Sequence, residues 1–227
     1  WGTTAGAEEV FKLVCLPPAG TSDDEKAFRQ ECLGRIKREL DLLEKCKGAE
    51  IVKLASVKPR LETISDIDYI GYTEERLNGA DLWKIIQTKG SLPDERESRR
   101  LMLTLIMAIQ ELWGSLKTVH RDIKPCNIIK LSDPGRPFVL LDLGIAFGAE
   151  STALTVGASH RLPLATYRYF APEMAKPDFR QNLDYRADLY ASALLWSPTH
   201  LLAPRLCMLK LPTMAFRFAS SHADLKQ

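Results

Sequence analysis

The chain has 227 residues, 45% hydrophobic and 26% charged, enough apolar material for one domain or two small lobes sharing an interface. Its 31 basic and 29 acidic residues leave a net charge of +2, which gives no overall pull toward nucleic acid or a membrane surface. Five cysteines (Cys15, Cys32, Cys46, Cys126, Cys207) lack C-x-x-C spacing, so neither a zinc site nor a disulfide framework is expected, and spread thiols fit a reducing, cytoplasmic setting.

The longest apolar stretch, Leu101 to Ile109, is too short to span a bilayer. Residues Trp1 to Gly6 lack a basic segment leading into an apolar one, so no signal peptide is expected. A chain opening on Trp rather than Met is expected to be a fragment or a processed form.

In chain order, Val10 to Val14 reads as a short strand with Val10, Lys12 and Val14 on one face. After the Pro17–Gly20 loop, Ser22 and Glu25 form a capping box that opens a helix of about twenty residues. Its apolar positions Phe28, Cys32, Ile36, Leu40 and Leu43 recur at spacings of three and four, as one buried stripe requires, and Gly48 is expected to end it. Strands are expected at Ile51–Val57 and Tyr69–Thr73, separated by Pro59 and the polar Ser65-Asp66 region. Asn78-Gly79 reads as a turn, and Asp81 as the N-cap of a short helix through Gln87.

Pro93 to Leu116 reads as a long helix. Arg96, Arg99 and Arg100, interleaved with Glu95 and Glu97, would form its solvated face. Its middle, Leu101 to Leu112, is apolar nearly all round, which predicts a central core helix. Between Val119 and Leu143, short apolar runs flank Ser132-Asp133-Pro134-Gly135, a hairpin signal. Residues 144–168 read as a loop and Tyr185–Trp196 as a helix, so the fold class is α+β.

The stretch His120-Arg121-Asp122-Ile123-Lys124-Pro125-Cys126-Asn127 fits H-R-D-x-x-x-x-N and resembles the catalytic loop of protein kinases. An acceptor for a substrate hydroxyl proton belongs beside the transferring phosphoryl group, and Asp122 would be that acceptor. Lys124 would neutralise charge on that group, and the amide oxygen of Asn127 would fold back onto a metal ion. Asp142-Leu143-Gly144, ending the apolar strand Phe138–Leu141, resembles the D-F-G motif whose carboxylate holds Mg²⁺ on the phosphates of ATP. Ala171-Pro172-Glu173 resembles A-P-E, and Thr166-Tyr167-Arg168-Tyr169 resembles the T-x-R-Y stretch of serine/threonine kinases. Asp188 to Ser192 resembles the start of the helix whose Asp braces the catalytic loop. Any one of these stretches also reads as an ordinary loop or turn. Their order along residues 8–196 makes the chain resemble the protein kinase family, with bacterial-style serine/threonine kinases nearest.

An independent argument concerns Lys12, which sits on an otherwise apolar strand face and needs a partner if buried. Glu39 falls in the helix stripe between Ile36, Leu40 and Leu43, whereas Glu25, Glu31 and Glu44 are better placed for solvent. Lys12 and Glu39 are therefore expected to pair; two snorkelling surface charges are the alternative. The resemblance implies the same pair, which positions the α and β phosphates of ATP. It further implies a ribose contact from Asp81, a hinge near Glu74–Leu77, and a packed column of Leu43, Leu54, His120 and Leu143.

The implied organisation is a bilobal kinase-like fold, incomplete at both ends: 1–76 as the β-rich small lobe, 77–196 as the helical large lobe, and 197–227 as an atypical tail. The Gly-rich phosphate loop expected well before Lys12 has no counterpart in G-x-G-x-x-G form. The implied function is ATP- and Mg²⁺-dependent phosphoryl transfer to Ser or Thr of a protein. The alternatives are an inactive kinase-like binding module and a small-molecule phosphotransferase. Arg121, next to Asp122, would receive a phosphate on the 144–167 loop, for which Thr155 is the leading candidate among Ser151, Thr152, Thr155, Ser159 and Thr166; the alternative is that these hydroxyls simply solvate the loop.

Overall fold

The computed structural model describes residues 2–4, 7–89, 94–143, 147–148, 168–175 and 183–196. A four-stranded antiparallel sheet comes first, in the order β1-β2-β4-β3 (β1 Gly2–Thr4, β2 Ala7–Cys15, β3 Arg60–Ile64, β4 Ile67–Glu75). Helix α1 (Asp23–Lys45) follows β2 and packs Ile36, with half-buried Leu33 and Leu40, against Ile70 and Tyr72 of the sheet and Leu16 just past β2. A second sheet, β5-β7-β8 (Gly79–Asp81, Ile128–Leu131, Phe138–Leu140), lies with helices α2 (Leu82–Lys89), α3 (Glu95–Leu116) and α4 (Tyr185–Trp196). The short pair β6-β9 (Thr118–Val119, Phe147–Gly148) completes the described strands.

The capping box of α1 forms as expected, with the Ser22 hydroxyl accepting from the Glu25 N–H and the Glu25 carboxylate accepting from the Ser22 N–H. Two details of that helix differ from expectation. It ends at Lys45, where the Cys46 N–H donates to the Leu42 carbonyl, before Gly48 is reached. Phe28 is exposed, while Leu42 joins Leu43 in the core. The apolar stripe begins only where the helix overlies the sheet.

Strand β2 runs longer than expected, and Val10, Lys12 and Val14 do lie on its better-buried face, with Phe11 and Leu13 exposed. Segment 51–57 is not a regular strand: it holds only isolated bridges, Ile51 to Leu140 and Leu54 to Glu74. Its backbone bonds divide between two neighbours. Val52 N–H donates to Leu140, whereas Ala55 N–H donates to Thr73 and Lys53 accepts from Glu75. Neither side gains a continuous ladder, yet the segment stitches the two sheets together. Ser65 and Asp66 do not separate two distant strands; they are the tight turn of the β3–β4 hairpin, both at positive φ (50° and 61°).

Leu82, Leu101, Leu105, Ala108, Leu112, Ile128, Val139 and Leu140 build the main core, with Ala191 and Leu195 from α4. Fully burying each Leu, Ile or Val contributes about 1.5–3 kcal/mol. Helix α3 is central on one face only, since Leu103, Ile106 and Met107 remain exposed among the described residues. At its start Arg99 pairs with Glu95, but Glu97 is drawn inward onto Lys130 rather than left in solvent. No described helix is long and apolar enough to cross a membrane. Cys15, Cys32, Cys46 and Cys126 are free thiols.

Candidate active site

Strand β6 delivers the chain from α3 into loop 120–124, and a 3-10 turn at Pro125–Asn127 returns it into β7. Pro125 at the first position of that turn suits its fixed φ and missing N–H. The loop is held from behind by Asp188, at the start of α4. One Asp188 oxygen accepts the His120 N–H at 2.7 Å and the other the Arg121 N–H at 2.8 Å. Burial pushes the Asp188 carboxyl up, opposed by His120 and by these two bonds.

His120 is fully buried and makes two ring contacts. Its Nε2 meets the Leu141 carbonyl at 3.0 Å, and its Nδ1 meets the Asp122 N–H at 3.2 Å. A carbonyl can only accept, so the proton sits on Nε2 and the Nδ1 lone pair accepts. Arg121 and Asp142 adopt φ of 70° and 61°, a left-handed conformation that is uncommon outside glycine and tends to gather at functional sites.

The Asp122 side chain has two unlike oxygens. Oδ2 accepts from Lys124 Nζ at 2.6 Å and from Asn127 Nδ2 at 2.9 Å. Oδ1 is buried and has no hydrogen-bond partner among the described residues. Asn127 also donates Nδ2 to the Asp122 carbonyl, which leaves its Oδ1 as an acceptor oxygen. The Leu141 N–H donates to the Asn127 carbonyl, tying Asn127 to the stretch that carries Asp142. Asp81 pairs with Ile129 across β5 and β7, just past Asn127, and its Oδ1 caps α2 by accepting the Lys84 N–H at 2.7 Å. Of the expected column, Leu43 and Leu143 are buried in the main core and Leu54 packs against it.

Lys12 reaches Glu39 at 3.9 Å but Glu74 at 2.7 Å. The first distance exceeds a hydrogen bond, so the nearer partner is one that the helix stripe does not identify. The Tyr72 ring lies 5.8 Å from the ammonium, and its hydroxyl is 3.5 Å from Glu39. Burial pushes the Glu39 carboxyl up to about 7 against the pull of Lys12, with Asp142 and Glu74 adding to the rise. Burial raises Glu74 too, again opposed by Lys12. The influence of Asp142 on both acids places it within electrostatic reach of the Lys12 cluster.

A second residue outside the sequence motifs is Arg136, in the β7–β8 connection. It grips Glu75 at the end of β4 with two bonds, at 2.6 and 2.7 Å, and also donates to the Ala49 and Ile51 carbonyls. This fixes the expected hinge region to the second sheet. Nothing in the local sequence distinguishes Arg136 from a turn residue. Gly144, Thr155, Thr166, Tyr167 and residues 197–227 lie outside the described residues. Ala171 is buried, and Pro172–Ala175 forms a 3-10 turn.

A family profile described as "Protein kinase domain" matches residues 21–200. A probable serine/threonine-protein kinase PknB of Bifidobacterium longum is 29% identical over 163 residues, 70% of this chain and 22% of that protein. CBL-interacting serine/threonine-protein kinase 9 of Arabidopsis thaliana is 28% identical over 172 residues, 76% of this chain and 34% of that protein. The chain thus spans between about a fifth and a third of the length of these relatives. A solved structure of the Rad53 kinase domain with SCD2 superposes with a TM-score of 0.51 at 22% identity, over 71% of this chain and 49% of that one, a likeness of fold.

Proposed function

Because the chain belongs to the protein kinase family, in its serine/threonine branch, we propose that it transfers the γ-phosphoryl group of ATP to a serine or threonine hydroxyl of a protein. The observation that carries this reading is the asymmetry of Asp122: Oδ2 is anchored by Lys124 and Asn127, while Oδ1 is buried with no hydrogen-bond partner among the described residues. A carboxylate oxygen left without a hydrogen-bond partner supports the reading of Asp122 as the proton acceptor. As the substrate hydroxyl oxygen bonds to the γ phosphorus, the bond from phosphorus to the β–γ bridging oxygen breaks, and the hydroxyl proton passes to Asp122 Oδ1. Lys124, beside that carboxylate, balances charge on the transferring group.

Mg²⁺ would be held by Asn127 and Asp142. The donor chemistry fits: Asn127, with Nδ2 spent on Asp122, offers its amide oxygen and Asp142 is a carboxylate, both hard donors of the kind this ion takes while sharing its other positions with phosphates and water. When bound, it neutralises phosphate charge. Lys12 would take the α and β phosphates, with Glu39 as its brace, and Asp81 would meet the ribose. In this reading residues 1–76 are the small lobe and 77–196 the large lobe, working on a protein substrate in the cytoplasm.

The test is phosphoryl transfer to a pool of Ser/Thr peptides. Asp122→Ala is expected to cut the rate by about 10²–10⁴-fold, the worth of a positioned base. Mg-ATP affinity is expected to change less than a few-fold. A variant that keeps most of its rate takes Asp122 out of the chemistry.

A further inference from the structure

Lys12 is one cation facing two buried acids, and the geometry chooses between them. Strands β2 and β4 pair antiparallel with Val10 opposite Glu74 and Lys12 opposite Tyr72, so all four side chains stand on one face. From there Glu74 reaches diagonally to Lys12 and makes an ion-pair contact of 2.7 Å. The Glu39 carboxylate, coming from α1, stops at 3.9 Å and is shared with the Tyr72 hydroxyl at 3.5 Å. The Glu74 side chain is 6% exposed and that of Glu39 is 12%, so both carboxylates depend on protein partners. Lys12 is the cation that meets either of them among the described residues.

We infer that Glu74 is a positioning residue that competes with Glu39 for Lys12, holding the ammonium on the strand side of the cluster and withholding it from phosphate. This rests on the kinase reading of the cluster. When ionised, the two acids outnumber the one ammonium, which opposes an incoming polyphosphate anion. Glu74 therefore lowers nucleotide affinity. With its charge removed, Lys12 turns to Glu39 and meets phosphate without a rival.

Two measurements on the 227-residue chain separate this inference from the kinase reading. The first is a double-mutant cycle by denaturant unfolding, which needs no nucleotide. Coupling of Lys12 to Glu74, measured with Lys12→Met and Glu74→Gln, is expected to exceed coupling of Lys12 to Glu39, measured with Glu39→Gln. In the Glu74→Gln background the Lys12–Glu39 coupling is expected to rise. A Lys12–Glu39 coupling that is the larger of the two, or that Glu74→Gln leaves unchanged, overturns the inference. The second is Mg-ATP titration. Glu74→Gln is expected to bind roughly three- to tenfold more tightly, the scale of one nearby like charge removed, with the KM for ATP falling by the same factor. Glu74→Asp is expected to return affinity toward the original value. Unchanged or weaker binding in Glu74→Gln overturns the inference. A parent chain that binds no Mg-ATP sinks the kinase reading, and the unfolding cycle still decides the competition. If Glu74→Gln does not fold, acylation of the Lys12 amine by an N-hydroxysuccinimide ester is compared between the parent and Glu39→Gln. Equal rates support Glu74 as the main partner, and a severalfold rise in Glu39→Gln overturns it.

Discussion

The loop around Asp122 and the cluster around Lys12 satisfy their charges by opposite means. In the loop the anchoring groups are bonded several times over. Asp188 fixes two successive N–H groups, His120 is bonded through both ring nitrogens, and Asp122 Oδ2 has two donors. At Lys12 one ammonium serves two acids, and both carboxyls are raised by burial. Redundant bonds hold a base in a single position, as proton transfer requires. A shared cation keeps a second acid within reach of its preferred one, which suits a group that must be handed to a ligand.

The strongest way to break that contrast is to take away the brace of the loop. Asp188→Ala leaves the His120 and Arg121 N–H groups without their acceptor, and each such group costs about 1–3 kcal/mol when buried. The expected loss is about 2–5 kcal/mol in denaturant unfolding, together with loss of phosphoryl transfer. Asp188→Asn keeps one acceptor oxygen and is expected to lose roughly half as much. A loss under about 0.5 kcal/mol for Asp188→Ala would mean that the loop holds its shape without this anchor.

The sequence makes the loop far more legible than the Lys12 cluster, and the reason is distance along the chain. Asp122, Lys124 and Asn127 fall within six residues, so their spacing alone brings them together. The Asp188 grip spans 67 and 68 residues, and it emerges from resemblance, not from spacing. Helical periodicity correctly turns Glu39 inward. Alternation along β4 puts Glu74 on the same face as Ile70 and Tyr72, but no local pattern says that this strand pairs with β2 or in which register. The preferred partner of Lys12 is a fact of that register. The fold shows the same limit. Ile51–Val57 has the composition of a strand, yet it splits its bonds between two sheets and completes neither ladder. Phe28 keeps the stripe spacing but lies eight residues, about 12 Å of helix, before Ile36, beyond the reach of the sheet core. Leu103, Ile106 and Met107 satisfy the pattern of a core helix, while the face they occupy is exposed among the described residues.

A smaller effect sharpens the comparison through pH. Glu39 is raised from its ordinary 4.5 to about 7 by burial, with Lys12 opposing and Asp142, Glu74 and the Tyr72 hydroxyl also facing it. Between those values the folded chain holds more protons than the unfolded one, so stability falls as pH rises from about 4.5 toward 7. Glu74, raised in the same direction, adds to the same slope. Glu39→Gln removes one of the two titrating acids and is expected to flatten the dependence of unfolding midpoint on pH over that interval. A variant with the parent's slope would show that Glu39 does not carry it.

The smallest effect asks whether the Lys12 cluster depends on α1 as a whole or only on its middle turns. Ser22 opens that helix with a capping box, accepting the Glu25 N–H at 3.2 Å, while Glu25 Oε2 accepts the Ser22 and Thr21 N–H groups at 3.1 and 3.0 Å. Ser22→Ala removes half of the box and is expected to cost about 1 kcal/mol in unfolding free energy. Seventeen residues, about 25 Å of helix, separate Ser22 from Glu39, and effects that far apart with no shared partner add to within about 0.5 kcal/mol. The Lys12–Glu39 coupling and the pH slope of Glu39 are therefore expected to match the parent's in Ser22→Ala. If either shifts with the cap, α1 moves as a rigid rod on the sheet, and the distance that gives Lys12 to Glu74 is set at the far end of the helix. If both hold, the choice between the two acids is made locally, where Ile36, Leu40, Leu42 and Leu43 fix the helix in the core, and the cluster is adjustable through Lys12 alone.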